Sequence, residues 1–361
     1  MKRALLNLHR VISLVLAGFW LIQVATGVLL VFHWELDGFA AGTDSVAFSP
    51  GAISDRVAEI EAGAHGRKVT SIWTSGAVNE QFDIYVREPG ASSADKWRIN
   101  GAGEVLRTGL SPGGAFFDLL VRVHTEFLAG PGGRVLVGVS GVFLVSNVLI
   151  GAVLAWPRAR HWRALLRWPS ACPAIARNYG WHRLLGLGVF FPTLVVVTFG
   201  VLLAFEKPLG DAIAEPVTDP APAFSVSTDR DGEIKISPEL AIEAALSVYP
   251  DASLTALRMP SDARKAYEVR LRQPGEANRI YGDTVLIVSA TSGEVALVTD
   301  PFRQPPGRAF MSFLFPVHTG QAIGLVGRVI ALAAGCGVLV LMIFGVMLFT
   351  SRLRSRTRRS Q

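Results

Sequence analysis

Apolar residues collect in four long runs, roughly Val11–Phe32, Val135–Trp156, Leu184–Phe205 and Val329–Thr350, separated by polar stretches. Each run supplies the roughly 20 helical residues that a hydrocarbon core requires. Four membrane spans are therefore predicted. Trp20 and Gln23 in the first run, and Ser146 and Asn147 in the second, interrupt the apolar pattern. They are expected to face neighbouring helices, because lipid offers a polar group no partner.

The stretches between the spans change period. Phe82-Asp83-Ile84-Tyr85-Val86-Arg87-Glu88-Pro89-Gly90 and Tyr267-Glu268-Val269-Arg270-Leu271-Arg272-Gln273-Pro274-Gly275 both alternate apolar with polar residues and end in a turn dipeptide. That is the pattern of a half-buried strand. Each follows a candidate helix (Ile53–Ala62, Pro238–Val248) and a strand (Val69–Trp73, Leu254–Arg258). Each precedes a further strand, Lys96–Asn100 or Thr284–Ser289, the latter continuing past Gly293-Glu294-Val295. Two small α+β domains are expected, with the Pro-rich linker Glu215–Ala223 extended. Amphipathic stretches, Phe116–Leu128 and Phe310–Val317, lead back towards the spans.

Charge then orients the spans. Lys2, Arg3 and Arg10 precede the first; Arg158, Arg160, Arg163, Arg167, Arg177 and Arg183 lie between the second and third; Arg352, Arg354, Arg356, Arg358 and Arg359 follow the fourth. Basic segments stay on the cytoplasmic side, so both termini are predicted there. The expected organisation is a first span with a cytoplasmic N-terminus (1–34), an external domain (35–133), a second span (134–156), a basic loop (157–182), a third span (183–206), a second external domain (207–327), a fourth span (328–350) and a basic tail (351–361). The first span is too long for a typical signal-peptide core and is read as an uncleaved anchor. The net charge of +6 comes from residues flanking apolar spans, so it reports topology and argues against nucleic-acid binding. Cys172 falls in the basic loop and Cys336 in the fourth span. No C-x-x-C-H occurs, which excludes covalent c-type haem.

The histidines repeat. His124-Thr125 and His318-Thr319 introduce the second and fourth spans; Arg134 and Arg328 follow them at one shared interval, and Gly151 and Gly345 at another. Leu8-His9-Arg10 and Trp181-His182-Arg183 open the first and third spans, and Gly27 and Gly200 follow these histidines at equal intervals too. The chain therefore reads as a doubled helix–domain–helix unit. A histidine beside a span is costly unless something uses it, and paired imidazoles suit haem iron. His9 with His182 is the expected inner pair. The outer pair comes from His124, His318 and His33, the last having no counterpart, since the matching position is Glu206. His65 and His161 read as surface residues. Arg134 and Arg328 suit haem propionates or lipid phosphates, because a guanidinium fork fits both. Gly27, Gly138, Gly151, Gly200, Gly327 and Gly345 suit close helix packing or room for a flat porphyrin.

In the order of these motifs, and across nearly its whole length, the chain resembles the PepSY-associated transmembrane family of bacterial inner-membrane proteins. The resemblance implies a four-helix membrane bundle, two PepSY-like periplasmic domains and, from the siderophore-iron reductases in that family, two b-type haems. It implies one-electron reduction of a periplasmic ferric siderophore, with membrane quinol or a cytoplasmic reductase as donor. The external domains, with Arg134, Arg328 and Trp34, are the expected outer docking surface. Two other readings remain: a haem-free PepSY-domain protein that binds a partner from a membrane anchor, and an iron or siderophore permease component. The chain carries no dinucleotide fingerprint, P-loop, H-E-x-x-H or G-x-S-x-G, so it is not expected to bind NAD(P)H or hydrolyse ATP.

Overall fold

The computed structural model describes residues 1–41, 46–63, 65–76, 80–91, 93–109, 112–157, 174–213, 234–261 and 264–357. Arg158, Arg160, His161, Arg163, Arg167, Cys172, the Glu215–Ala223 linker, Arg358 and Arg359 lie outside the described residues. The chain divides into a helical unit (Met1–Val31, Leu120–Lys207, Val317–Gln361) and a sheet unit (Phe32–Leu119, Pro208–Pro316).

The helical unit is built from α1 (Lys2–Leu30), the end of α4 (Pro112–Glu126), α5 (Gly130–Ala155), α6 (Ala174–Gly188), α7 (Phe190–Ala204), the end of α10 (Pro306–Thr319) and α11 (Gly324–Thr357). Among the described residues three helices are long and apolar enough to cross a membrane, and α6 with α7 makes a fourth span if the bent pair is one. The third span departs from the continuous helix expected of it, bending by 60° between Gly188 and Phe190. Pro192 explains the position, because its ring collides with the carbonyl four residues earlier, that of Gly188. Apolar side chains such as Val15, Leu136, Phe143 and Ile343 point outward. The buried positions are mostly small or polar: Trp20, Thr26, Ser140, Leu144, Asn147, Thr193 and Ala334. That inversion is how helices associate in lipid, where apolar burial supplies no driving force.

The sheet unit also holds α2 (His33–Ala41), α3 (Pro50–Ala62), α8 (Glu206–Ile213) and α9 (Pro238–Val248). Its strands are β1 (Lys68–Thr74), β2 (Gln81–Arg87), β3 (Asp95–Asn100), β4 (Val105–Arg107), β5 (Ser253–Arg258), β6 (Ala266–Arg272), β7 (Thr284–Ser289) and β8 (Val295–Thr299). They form one antiparallel sheet in the order β4-β3-β2-β1-β5-β6-β7-β8. The strands of the two segments 35–133 and 207–327 thus share a sheet, joined where Ile72 of β1 pairs with Leu257 of β5. α3 and α9 start alike: Ser49 and Ser237 cap them, each hydroxyl accepting from a backbone N–H at 3.3 Å, with Pro50 and Pro238 in the first turn. Both helices cover one face through Ile53, Val57, Ile242 and Ala245 against Ile72, Ile84, Leu257, Val269 and Leu286. The hairpins after β2 and β6 turn at Gly90 and Gly275, whose positive φ values (77° and 89°) favour glycine.

The opposite face carries a charged cluster. Arg98, 1% exposed, donates from Nε to Asp83 at 2.5 Å and from Nη2 to Asp37 at 2.7 Å. Lys96 lies 3.2 Å from Asp83, and Arg107 3.6 Å from Asp37. Burial pushes the Asp37 carboxyl up, but Arg98, Arg107 and Lys96 together outweigh it, and the net shift is down. α2 is thereby fastened to β3. Trp34, expected on a docking surface, is buried instead. Its indole donates to the Tyr281 hydroxyl at 3.2 Å, and its ring packs edge-on against Phe315.

Candidate functional site

Four histidines of the helical unit are held by the same device. The Nδ1 of His9 lies 3.2 Å from the Asn147 carbonyl oxygen, and that of His182 lies 3.2 Å from the Leu341 oxygen. The Nδ1 of His124 lies 3.1 Å from the Gln23 oxygen, and that of His318 lies 2.8 Å from the Val196 oxygen. A backbone carbonyl only accepts, so in each pair Nδ1 carries the proton and donates it. The neutral ring then presents an unprotonated Nε2, the atom that ligates a metal. His124 Nδ1 also lies 3.1 Å from the Thr26 hydroxyl.

Each accepting carbonyl stands four residues before a glycine: Asn147 before Gly151, Leu341 before Gly345, Gln23 before Gly27 and Val196 before Gly200. The imidazole lies across that glycine. A Cβ built there would meet the ring's Cε1 at 3.2 Å on Gly151, 3.9 Å on Gly345, 2.9 Å on Gly27 and 2.7 Å on Gly200. One helix thus supplies a bare strip of backbone, and the histidine of another docks on it. α5 receives His9 and α11 receives His182; α1 receives His124 and α7 receives His318. The glycines at 27, 151, 200 and 345 are therefore imidazole seats. Gly138 instead packs on Phe205 and Ala204, and Gly327 on the Gly320 backbone.

The docked histidines fall into two pairs. The His124 and His318 rings are 6.0 Å apart between centroids, with planes 30° apart. His9 is likewise a neighbour of His182. Two metal–imidazole bonds of about 2 Å each, plus the two ring radii, span about 6 Å, which matches the outer pair. Among the described residues no three His, Cys, Asp or Glu side chains converge on a metal-sized site. A bare ion generally takes more than two protein ligands. Two axial imidazoles suit a metal whose remaining ligands arrive with a flat macrocycle, and seats without side chains leave the ring edges clear.

The other sequence candidates separate. His33 opens α2 in the sheet unit; its ring lies tilted against Trp34 at 4.1 Å between centroids and approaches Phe117 at 6.0 Å. Within the helical unit, the outer pair brought together is His124 with His318. His65 is exposed. Arg328 is buried, and its Nε and Nη2 donate to the Val31 carbonyl at 3.2 and 2.6 Å, capping the C-terminal end of α1. Arg134 is exposed, so the two repeat-related arginines have different surroundings.

Further polar side chains line the bundle. Asn147 donates from Nδ2 to the Ser13 hydroxyl at 2.9 Å. The Trp20 indole N–H points at Ser140, 3.0 Å from Oγ and 3.3 Å from the carbonyl oxygen. The sequence marks Trp20 and Asn147 as inward-facing. It does not mark Ser13 or Ser140, because a lone serine in a span is common and carries no spacing signal.

No curated protein matches the chain. A family model described as the PepSY-associated TM region matches residues 6–352. The chain therefore belongs to that family.

Proposed function

We propose that this member of the PepSY-associated TM family carries electrons across a bacterial inner membrane through two b-type haems, and that it reduces a periplasmic ferric siderophore for iron uptake. The observation that carries the proposal is the fourfold device of imidazole, carbonyl and glycine, arranged as two histidine pairs. His9 and His182 hold the inner haem, and His124 and His318 the outer one. Haem supplies a one-electron Fe(III)/Fe(II) couple. The protein's part is to fix each imidazole plane through its Nδ1–H bond, which also makes Nε2 the more basic donor. Two protein ligands leave no open position for oxygen, as an electron carrier requires.

The rest of the reading follows the same topology. The chain is a duplicated helix–domain–helix unit with both termini cytoplasmic and two PepSY-like domains in the periplasm. Membrane quinol, or a reductase docking on the Arg-rich loop, donates electrons at the inner site. At the outer site the acceptor is a ferric chelate. Hard oxygen ligands favour Fe(III), so one added electron loosens the complex.

The absorbance spectrum of the purified full-length protein, made with ample haem, tests this directly. A Soret band with two haems per chain is expected, and His182→Ala should retain one. A wild-type protein without haem absorbance would leave the family's domains as binding modules and end the electron-transfer reading.

A further inference from the structure

Trp20 is a single large ring in the middle of the bundle, and the two halves treat its position differently. The offset that carries His9 onto His182 carries Trp20 onto Thr193. The offset that carries His124 onto His318 carries its partner Ser140 onto Ala334. All four are buried, at 4%, 4%, 5% and 3% exposure for Trp20, Thr193, Ser140 and Ala334. Three of these equivalent positions hold small side chains and one holds an indole. Along α1, Trp20 lies between His9 and Gly27, the seat of His124. At about 1.5 Å of rise for each residue it stands roughly 16 Å from the first and roughly 10 Å from the second.

Packing alone does not account for this choice. Indoles in membrane proteins gather at the interface, where the N–H meets water. At mid-bundle the N–H needs a dedicated acceptor, and Ser140 supplies it at 3.0 Å. A leucine or phenylalanine would fill space there with no polar group to satisfy. The indole is also pinned, since both the hydroxyl and the carbonyl of Ser140 lie within hydrogen-bond distance.

We infer that the Trp20 indole, held by Ser140, is the aromatic bridge through which electrons pass between the inner and outer histidine levels. This rests on the two-haem reading above. One electron leaves the inner site and one arrives at the outer site. Trp20 stays neutral, and no proton moves on or off its nitrogen. Tunnelling falls steeply with the length of saturated material between conjugated groups, and the indole's π system shortens that length. Its bulk also keeps water out of the middle of the path.

The test uses the full-length, haem-loaded protein in proteoliposomes. A membrane-impermeant reductant added on one side reduces the near haem first, and absorbance follows the far haem. Trp20→Leu should slow the second phase severalfold, and Trp20→Phe should fall between Leu and wild type. Ser140→Ala, which removes the hydroxyl and leaves the carbonyl at 3.3 Å, should slow it less. Haem-to-protein ratio and both midpoint potentials should stay at wild-type values, which a merely structural role would not predict alongside a slowed phase. An unchanged second phase in Trp20→Leu, with both haems retained, overturns the bridge and leaves the two-haem reading standing. If Trp20→Leu sheds haem, an unchanged phase in Trp20→Phe overturns it equally. Wild-type protein without haem sinks both.

Discussion

Four glycine-to-alanine substitutions, chemically identical, should differ in a fixed order set by the clearance above each seat. In Gly200→Ala the new methyl would lie 2.7 Å from Cε1 and 2.9 Å from Nδ1 of His318. Carbon atoms rest at about 3.5–4.0 Å, so the ring must retreat by roughly 1 Å. It cannot do so and keep its 2.8 Å bond to the Val196 carbonyl. Overpacking costs about 1–3 kcal/mol, and the lost hydrogen bond adds about 0.5–1.5 kcal/mol. The better helix propensity of alanine offsets about 1 kcal/mol. The net is a loss of about 0.5–3.5 kcal/mol. Gly345→Ala places its methyl 3.9 Å from His182, already an ordinary contact, so the propensity gain remains and the variant should be neutral or slightly more stable. Gly27→Ala (2.9 Å) should resemble Gly200→Ala, and Gly151→Ala (3.2 Å) should fall between. The assay is the unfolding midpoint in detergent, read beside the haem-to-protein ratio. The first readout needs no haem, so the seat is tested apart from its proposed ligand. Equal midpoints and equal haem content in Gly200→Ala and Gly345→Ala would refute the docking argument.

Asn147→Leu copies the residue that the other half carries, Leu341. Because His9 bonds the backbone carbonyl, which leucine also has, the variant should keep the His9 seat and stay within about 1 kcal/mol of wild-type stability, as thermal unfolding will read. In the sheet unit, Arg98→Met leaves Asp37 and Asp83 buried without their main cation, and should cost about 3–5 kcal/mol at neutral pH. Asp37 has a lowered value in the folded chain, so its contribution is full above the ordinary aspartate value of about 4 and is lost as pH falls through the folded one. The wild-type midpoint should therefore drop on acidification, and this Asp37 component should shrink in Arg98→Met, where Arg107 and Lys96 remain; identical pH profiles would contradict it.

Much of the site is legible because it depends on side-chain identity at fixed intervals. His9, His182, His124 and His318, each followed by a glycine at a spacing its repeat partner shares, stand out from the sequence alone. The partners of the imidazoles do not, because they are backbone carbonyls, which every residue has. Only the helix pairings reveal that the glycine marks a seat and that the acceptor stands one turn before it. His33 is eligible by its depth on the first span. The chain turns into α2 there, and the ring instead finds Trp34 and Phe117. Trp34 misleads for a related reason: an aromatic at a span end fits a surface as well as a core, and Tyr281, which accepts its N–H, lies 247 residues away. The strands are visible from their alternation, whereas the edge contact that unites them is not, since alternation fixes a face and leaves the neighbouring strand open.

That edge contact bears on how such a chain could arise. Pro89-Gly90 and Pro274-Gly275 are corresponding positions of the two halves, and Ile72 and Leu257 are separated by the same interval. These two residues face each other directly across the β1–β5 junction. An antiparallel pair of matching strands, meeting at matching residues, has the self-complementarity of a twofold dimer axis. On the doubled-unit reading, a half-length ancestor would have exposed this strand as an open edge, an invitation to stray pairing. Binding a second copy of itself would have closed it. Fusing the two copies would, on that reading, have made the pairing intramolecular and freed each half to change alone, with Trp20 against Thr193 and Asn147 against Leu341 as two such changes.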